Sequence, residues 1–445
     1  MKRHKYFRFA TIINEGRREQ KNVLVEDNRI KRISEAQITD LPSDTEIINC
    51  ENLLLIPGVI DSHVHFRQPG LEYKADMSSE SAAACAGGVT TVLDMPNTLP
   101  TTTTRAALEE KIRLARTSML CNYGFFFGIT NTNLEEALRL SDSGLICGYK
   151  IFFGASTGNM LVDNIQTIER LFAESPLVIT AHCEDEARIR NNTKIYQDIY
   201  LSKPAPASVH PLIRDAEACY LSSSFAVAMA KRHNTRLNIA HITTKRELAL
   251  LEAGNITTKS ITAEVTPSHL LFTDKDYADK SNLIKCNPAI KSEEDRDALR
   301  KALKDKVIDL IATDHAPHLL EEKQKPYFGS PSGMPSIQHS LLVMLELAAQ
   351  GIITQEEVVE KMCHNPALRF SIKGRGFIKE GYFADLVLVN PQKQTSVTED
   401  NILYKCHWSP LMQTTFSHSV EQTFVNGNCV FGNGNLIRSS CGMRI

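Results

Sequence analysis

Eight short apolar runs recur through the middle of the chain: LLLIPGVIDSHVH, TTVLDMPN, NYGFFFGIT, GLICGYKIFF, PLVITAHCED, RLNIAHITT, SITAEVTP and VIDLIATDHAPH. A strand that is apolar on both faces must be covered on both faces, and a helix after each strand is how a parallel sheet achieves this. Helix-like patterns do fall between the runs, as in TTRAALEEKIRLARTS (103–118) and SEEDRDALRKALKDK (292–306). Eight strand–helix units predict an α/β fold, a closed (β/α)8 TIM barrel over residues 56–370. The spacing is uneven, and segments 184–211 and 267–291 read as enlarged loops.

The ends follow another rhythm. Residues 1–55 (FRFATIIN, KNVLVEDNRIKRIS) and 371–445 (GFIKEGYFADLVLVN, SVEQTFVNGNCVFGNG) show short strands separated by Gly and Asn turns. Both ends carry the pattern, which predicts one small composite β-sandwich domain flanking the barrel. A length of 445 residues suits a barrel plus such a domain. Net charge is −2 with no long basic run, so the electrostatic footprint for nucleic acid is missing. No apolar run approaches the ~18 residues that span a membrane. The start, MKRHKYFRFATIINEG, lacks the apolar core of a signal peptide. Eleven cysteines without CxxC pairs read as reduced thiols. A soluble cytoplasmic enzyme with a small-molecule substrate, and neither nucleic-acid nor membrane partners, is the expectation.

Chemistry in such a barrel collects at the C-terminal ends of the strands. Run one ends in His63 and His65, the fourth reaches Lys150, the fifth His182, the sixth His241 and the eighth Asp314. The i, i+2 spacing of His63 and His65 puts both on one side of a strand. A single histidine there is ordinarily a hydrogen-bonded rim residue, and 14 histidines will place a few near strand ends by chance. Four histidines and an aspartate on one face form a ligand set suited to Zn²⁺ or a similar ion. For Lys150 two readings stand: a lysine packed in the barrel mouth, or an amine kept neutral beside dications. A neutral amine can take up CO₂ as a carbamate that bridges two metals.

Together, PGVIDSHVHFRQPG, MPNT, GYKIF, AHCED, AHITT, KCNPAIK, ATDHAPH and GYFADLVLVNP resemble the amidohydrolase superfamily. Within it the chain is similar to the cyclic amidohydrolases (dihydroorotases, allantoinases and hydantoinases), and most of all to the long dihydroorotases. The resemblance implies two Zn²⁺ per subunit, one on His63, His65 and Asp314, the other on His182 and His241, bridged by N-carboxylated Lys150. It also implies reversible hydrolysis of (S)-dihydroorotate to N-carbamoyl-L-aspartate in pyrimidine biosynthesis, with Asp314 as catalytic base and then acid. Arg67, Asn97, Asn287 and His318 would contact substrate, Ser156 and Thr157 would offer loop hydroxyls, and the chain would form a homo-oligomer. Arg67 suits a ring carboxylate, which a guanidinium can grip bidentately; its plain alternative is a surface pair with an acid such as Glu72.

Two other readings compete. A hydantoinase or dihydropyrimidinase acts on a ring without that carboxylate and needs no Arg67 equivalent; an allantoinase ring also lacks it, and the arginine argues against that reading less firmly. A non-catalytic scaffold homologue would have lost ligands, whereas all six positions are filled here. The chain departs from the dihydroorotase pattern where an NPPLR-type segment reads Asn287-Pro288-Ala289-Ile290-Lys291. It also carries Pro267-Ser268-His269-Leu270, where His269 reads as structural. His315 would point to the opposite side from Asp314, behind the ligands.

Overall fold

The eight apolar runs fold as consecutive parallel strands: β1 (Val59–Val64), β2 (Val89–Asp94), β3 (Asn122–Gly128), β4 (Gly148–Phe152), β5 (Ile179–His182), β6 (Leu237–Ile239), β7 (Ile261–Val265) and β8 (Leu310–Ile311). Neighbours in sequence are neighbours in the sheet. The computed structural model describes residues 3–154, 160–437 and 441–445; Ser156 and Thr157 lie outside the described residues. Closure comes just past the short β8, where Val64 pairs with His315 and the His65 amide donates to the His315 carbonyl at 2.8 Å. One carboxylate fastens this seam. Asp61 Oδ1 accepts from the amides of His63 (3.2 Å) and Thr313 (3.1 Å), and Oδ2 accepts from Thr313 Oγ1 (2.6 Å). The chain is thus an α/β protein built on a TIM barrel.

The helices begin where a side chain can satisfy free backbone amides. Thr104 and Ser292 accept from the amides of Ala107 and Asp295, starting helices Arg105–Ser118 and Glu293–Lys304. Leu108, Ile112 and Ala115 of the first, and Leu299, Ala302 and Leu303 of the second, are buried at helical spacing. Segment 184–211 is not the plain loop expected. Asp185 caps a helix over Glu186–Ile199 that buries only Ile189, so it carries no apolar period from which a helix could be read. Segment 267–291 likewise contains short helices at Pro267–Leu271 and Tyr277–Lys280.

Both chain ends enter one sheet, nine-stranded among the described residues. Strand Leu54–Pro57 runs parallel to His4–Asn14 on one side and antiparallel to Leu386–Asn390 on the other. Gly58 joins this sheet to β1, and a Cβ there would sit 2.1 Å from Thr90 Oγ1, so the crossing needs a residue without one. The C-terminal segment also returns to the barrel mouth, where Trp408 Nε1 donates to the His318 carbonyl at 2.7 Å. Cys50, Cys85, Cys121, Cys147, Cys183, Cys219, Cys286, Cys363 and Cys406 are free thiols. No helix among the described residues is long and apolar enough to cross a membrane.

Asp61→Ala should strand three buried donors at the seam and cost about 2–4 kcal/mol. A thermal melt should show a midpoint several degrees lower; an unchanged midpoint would refute the fastening role.

Candidate active site

The C-terminal strand ends surround a cavity of about 350 Å³. β1 supplies His63 with His65 one residue beyond its end, β4 supplies Lys150 and β5 His182, while His241 and Asp314 follow β6 and β8. All six line the cavity, and so do Arg67, Asn97, Asn287 and His318. Three of them sit in left-handed backbone: Arg67 (φ 66°), His241 (φ 35°) and Asp314 (φ 49°). Such conformations cost about 1–3 kcal/mol each in non-glycine residues and turn a side chain out of the strand's own alternation.

The donor atoms have the spacing of a metal site. Asp314 Oδ1 lies 3.0 Å from His65 Nε2 and 3.4 Å from His63 Nε2. Ligand atoms about 2.1 Å from a tetrahedral ion stand about 3.4 Å apart, so the three fit around one cation. His182 Nδ1 and His241 Nε2 stand 3.0 Å apart and form a second pair of donors. Burial holds the His63 imidazole down to about 3 and places His65 and His241 well below the ordinary histidine range. Neutral rings with free lone pairs are what a cation requires. Lys150 is fully buried, and its Nζ has no hydrogen-bond partner. Burial lowers its pKa to about 8, toward the uncharged amine. An amine without a hydrogen-bond partner, over the Phe152 ring and among the candidate donors, has the chemistry to take up CO₂ as a carbamate.

Behind the ligands stand carboxylates that motif reading missed. Glu264 on β7 contacts His63 Nδ1 and accepts from Asn238 Nδ2 at 3.0 Å, which leaves His63 Nε2 facing Asp314. Glu184 meets His182 Nε2 at 2.9 Å and pairs with Arg214. Burial opposes the Glu184 charge, but Arg214 and His182 beside it hold the carboxyl down to about 2. A lone acid inside the run SITAEVTP, and another two residues past His182, were the available signals. At the end of β2, Asp94 accepts from the Phe66 amide (2.9 Å) and pairs with buried Lys111 (2.7 Å), steadying the turn between His65 and Arg67.

Beyond His65 and Asp314 the wall turns cationic. Arg67 is 7% exposed; its Nε donates to the Pro317 carbonyl at 3.1 Å and its Nη2 stands 3.2 Å from His318 Nε2. It makes no ion pair with Glu72. Lys74 donates to His318 Nδ1 at 2.9 Å, which leaves the Nε2 hydrogen for the Ser332 carbonyl at 3.1 Å. Burial holds His318 down to about 3, so it is a neutral ring between two cations. Lys291 does not reach the cavity; its Nζ donates to the Ala289 carbonyl at 3.0 Å. His269 is held between Thr266 Oγ1 (2.7 Å) and the Pro288 carbonyl (3.1 Å). His315 turns away to Glu80, with 2.8 Å between Nε2 and Oε2.

Residues 54–430 match the amidohydrolase family. A dihydroorotase of Methanothermobacter thermautotrophicus is 30% identical over 94% of this chain and 93% of that protein. One of Halobacterium salinarum is 33% identical over 80% of this chain and 81% of that protein. Among solved structures, the L-hydantoinase (dihydropyrimidinase) from Arthrobacter aurescens superposes with a TM-score of 0.91 over 98% of this chain and 97% of that one, at 24% identity. That likeness speaks for the fold. A family match spanning the barrel, and relatives aligned along most of their length, agree with the strand-end donor set: the chain belongs to the amidohydrolase family.

Proposed function

We propose that the chain is a dihydroorotase that hydrolyses (S)-dihydroorotate reversibly to N-carbamoyl-L-aspartate, with two Zn²⁺ at the strand ends, and serves pyrimidine formation in the cytoplasm as a homo-oligomer. The observation that carries this reading is Arg67, buried in the wall of the same cavity as the donors and beside His318. A desolvated guanidinium there calls for an anionic substrate group, which the ring carboxylate of dihydroorotate supplies and an uncharged dihydropyrimidine or hydantoin ring does not. The dihydroorotases that match the chain support the same choice.

His63, His65 and Asp314 would hold one ion, His182 and His241 the other, and carboxylated Lys150 would join them. When bound, the pair supplies an activated water near neutral pH and polarises the scissile carbonyl. Arg67 then grips the ring carboxylate, while Asn97, Asn287 and His318 fix the ring's orientation from the same cavity. Asp314 accepts the water's proton and delivers it to the leaving ring nitrogen, base first and acid second. Glu264 and Glu184 keep the His63 and His182 imidazoles in the tautomers that present a lone pair to the cavity.

Glu264→Ala should weaken zinc binding by about 10–100-fold, as loss of a carboxylate behind a histidine ligand does. A chelator competition on the folded protein reads this directly, and unchanged affinity would remove Glu264 from the centre. Arg67→Ala should cut kcat/KM for dihydroorotate by about two to three orders of magnitude, equivalent to about 3–4 kcal/mol, with full metal content. Near-parental turnover in that variant would sink the dihydroorotase reading.

A further inference from the structure

We propose that Lys323 is a positioning residue that fixes the cavity wall Pro331–Gly333 and, through the Ser332 carbonyl, the His318 ring. The inference rests on the dihydroorotase reading and adds to it a residue outside the cavity. Lys323 is 1% exposed and makes no ion pair among the described residues. Its Nζ donates instead to three backbone carbonyls: Lys285 (3.0 Å), Pro331 (2.9 Å) and Gly333 (2.8 Å). An ammonium has three hydrogens, and all three are spent on irregular backbone that has no ladder to satisfy it.

Those carbonyls belong to two segments of the cavity. Pro331, Ser332 and Gly333 line it directly, and Lys285 lies two residues before Asn287, which lines it too. The Gly333 amide donates back to the Lys285 carbonyl at 2.8 Å, so the two segments are joined at the point where Lys323 enters. Gly333 has no room for adjustment: with φ 131°, a Cβ there would lie 2.5 Å from the Ala316 carbonyl oxygen. Lys285 repeats the device beside it, donating from Nζ to the carbonyls of Tyr327 (2.7 Å) and Ser330 (2.6 Å).

The neighbouring side chain on the same helical turn, Glu322, stands 3.2 Å from Lys74, which donates to His318 Nδ1. Consecutive residues of Leu320–Lys323 therefore hold the imidazole from both edges, Glu322 by way of Lys74 and Lys323 by way of the wall that carries the Ser332 carbonyl. His318 in turn stands against Arg67. Loosening the wall frees His318 and Arg67 to leave the geometry that a carboxylate needs, while His63, Lys150, His182 and His241, held on or just past their own strands, stay in place.

The test compares parent, Lys323→Met and Lys285→Met, each loaded with zinc and bicarbonate. Metal content, thermal midpoint and steady-state constants are measured on dihydroorotate and dihydrouracil. The parent's ring preference tests the reading of function; the variant-to-parent KM ratio on the preferred ring tests Lys323. Expected for Lys323→Met is a KM at least tenfold higher, with kcat within threefold and full metal content. Lys285→Met should move the same way by a smaller factor, and it carries the test if Lys323→Met does not fold. Emission from Trp408, the only tryptophan, reports the change without catalysis because its indole donates to the His318 carbonyl. A lowered midpoint with KM within twofold of the parent would reduce Lys323 to a packing residue and overturn the proposal.

Discussion

The closing of β1 against β8 is the constraint on which the site depends. His65 and Asp314 are 249 positions apart, yet their side chains meet at 3.0 Å because the first and last strands of the barrel adjoin. Asp61 spans that junction with hydrogen bonds to both sides, placed two residues before His63 and one residue from Asp314 through Thr313. An open sheet of the same eight strands would leave these two halves of the donor set at opposite edges. Closure therefore creates the cavity as well as stabilising the fold.

Two electrostatic settings adjoin in the cavity. One gathers imidazoles, with buried carboxylates behind them and an amine without a hydrogen-bond partner among them. The other gathers Arg67 and Lys74 around a neutral His318. Desolvation makes each arrangement expensive when empty, and most economical when cations lie in the first and an anionic group against the second. The proposed substrate, a cyclic amide with a ring carboxylate, would meet both with one molecule.

Much of this was legible in the sequence. The barrel strands show as runs apolar on both faces, a pattern set by their own burial, and the residues that line the cavity show because they sit where those runs stop. The helix Glu186–Ile199 was not legible, since it covers the surface with a polar face and buries only Ile189. Glu264 lies 201 positions from His63, and Lys323 acts on carbonyls whose side chains carry no signal of it. Contacts of that kind depend on tertiary placement, not on local pattern. The turns at Arg67, His241 and Asp314 are similar: their left-handed backbone aims the side chains, and none is a glycine that would have announced it. Ser156 and Thr157 lie outside the described residues.

The proposed centre holds two metal ions at the strand ends, joined through Lys150. Diffraction from crystals grown with zinc and bicarbonate, recorded at the zinc absorption edge, tests it most directly. Two anomalous peaks are expected, one among His63, His65 and Asp314 and one beside His182 and His241, with carbamate density continuous with Lys150 Nζ between them. A single peak, or metal bound away from these residues with an unmodified Lys150, would contradict it.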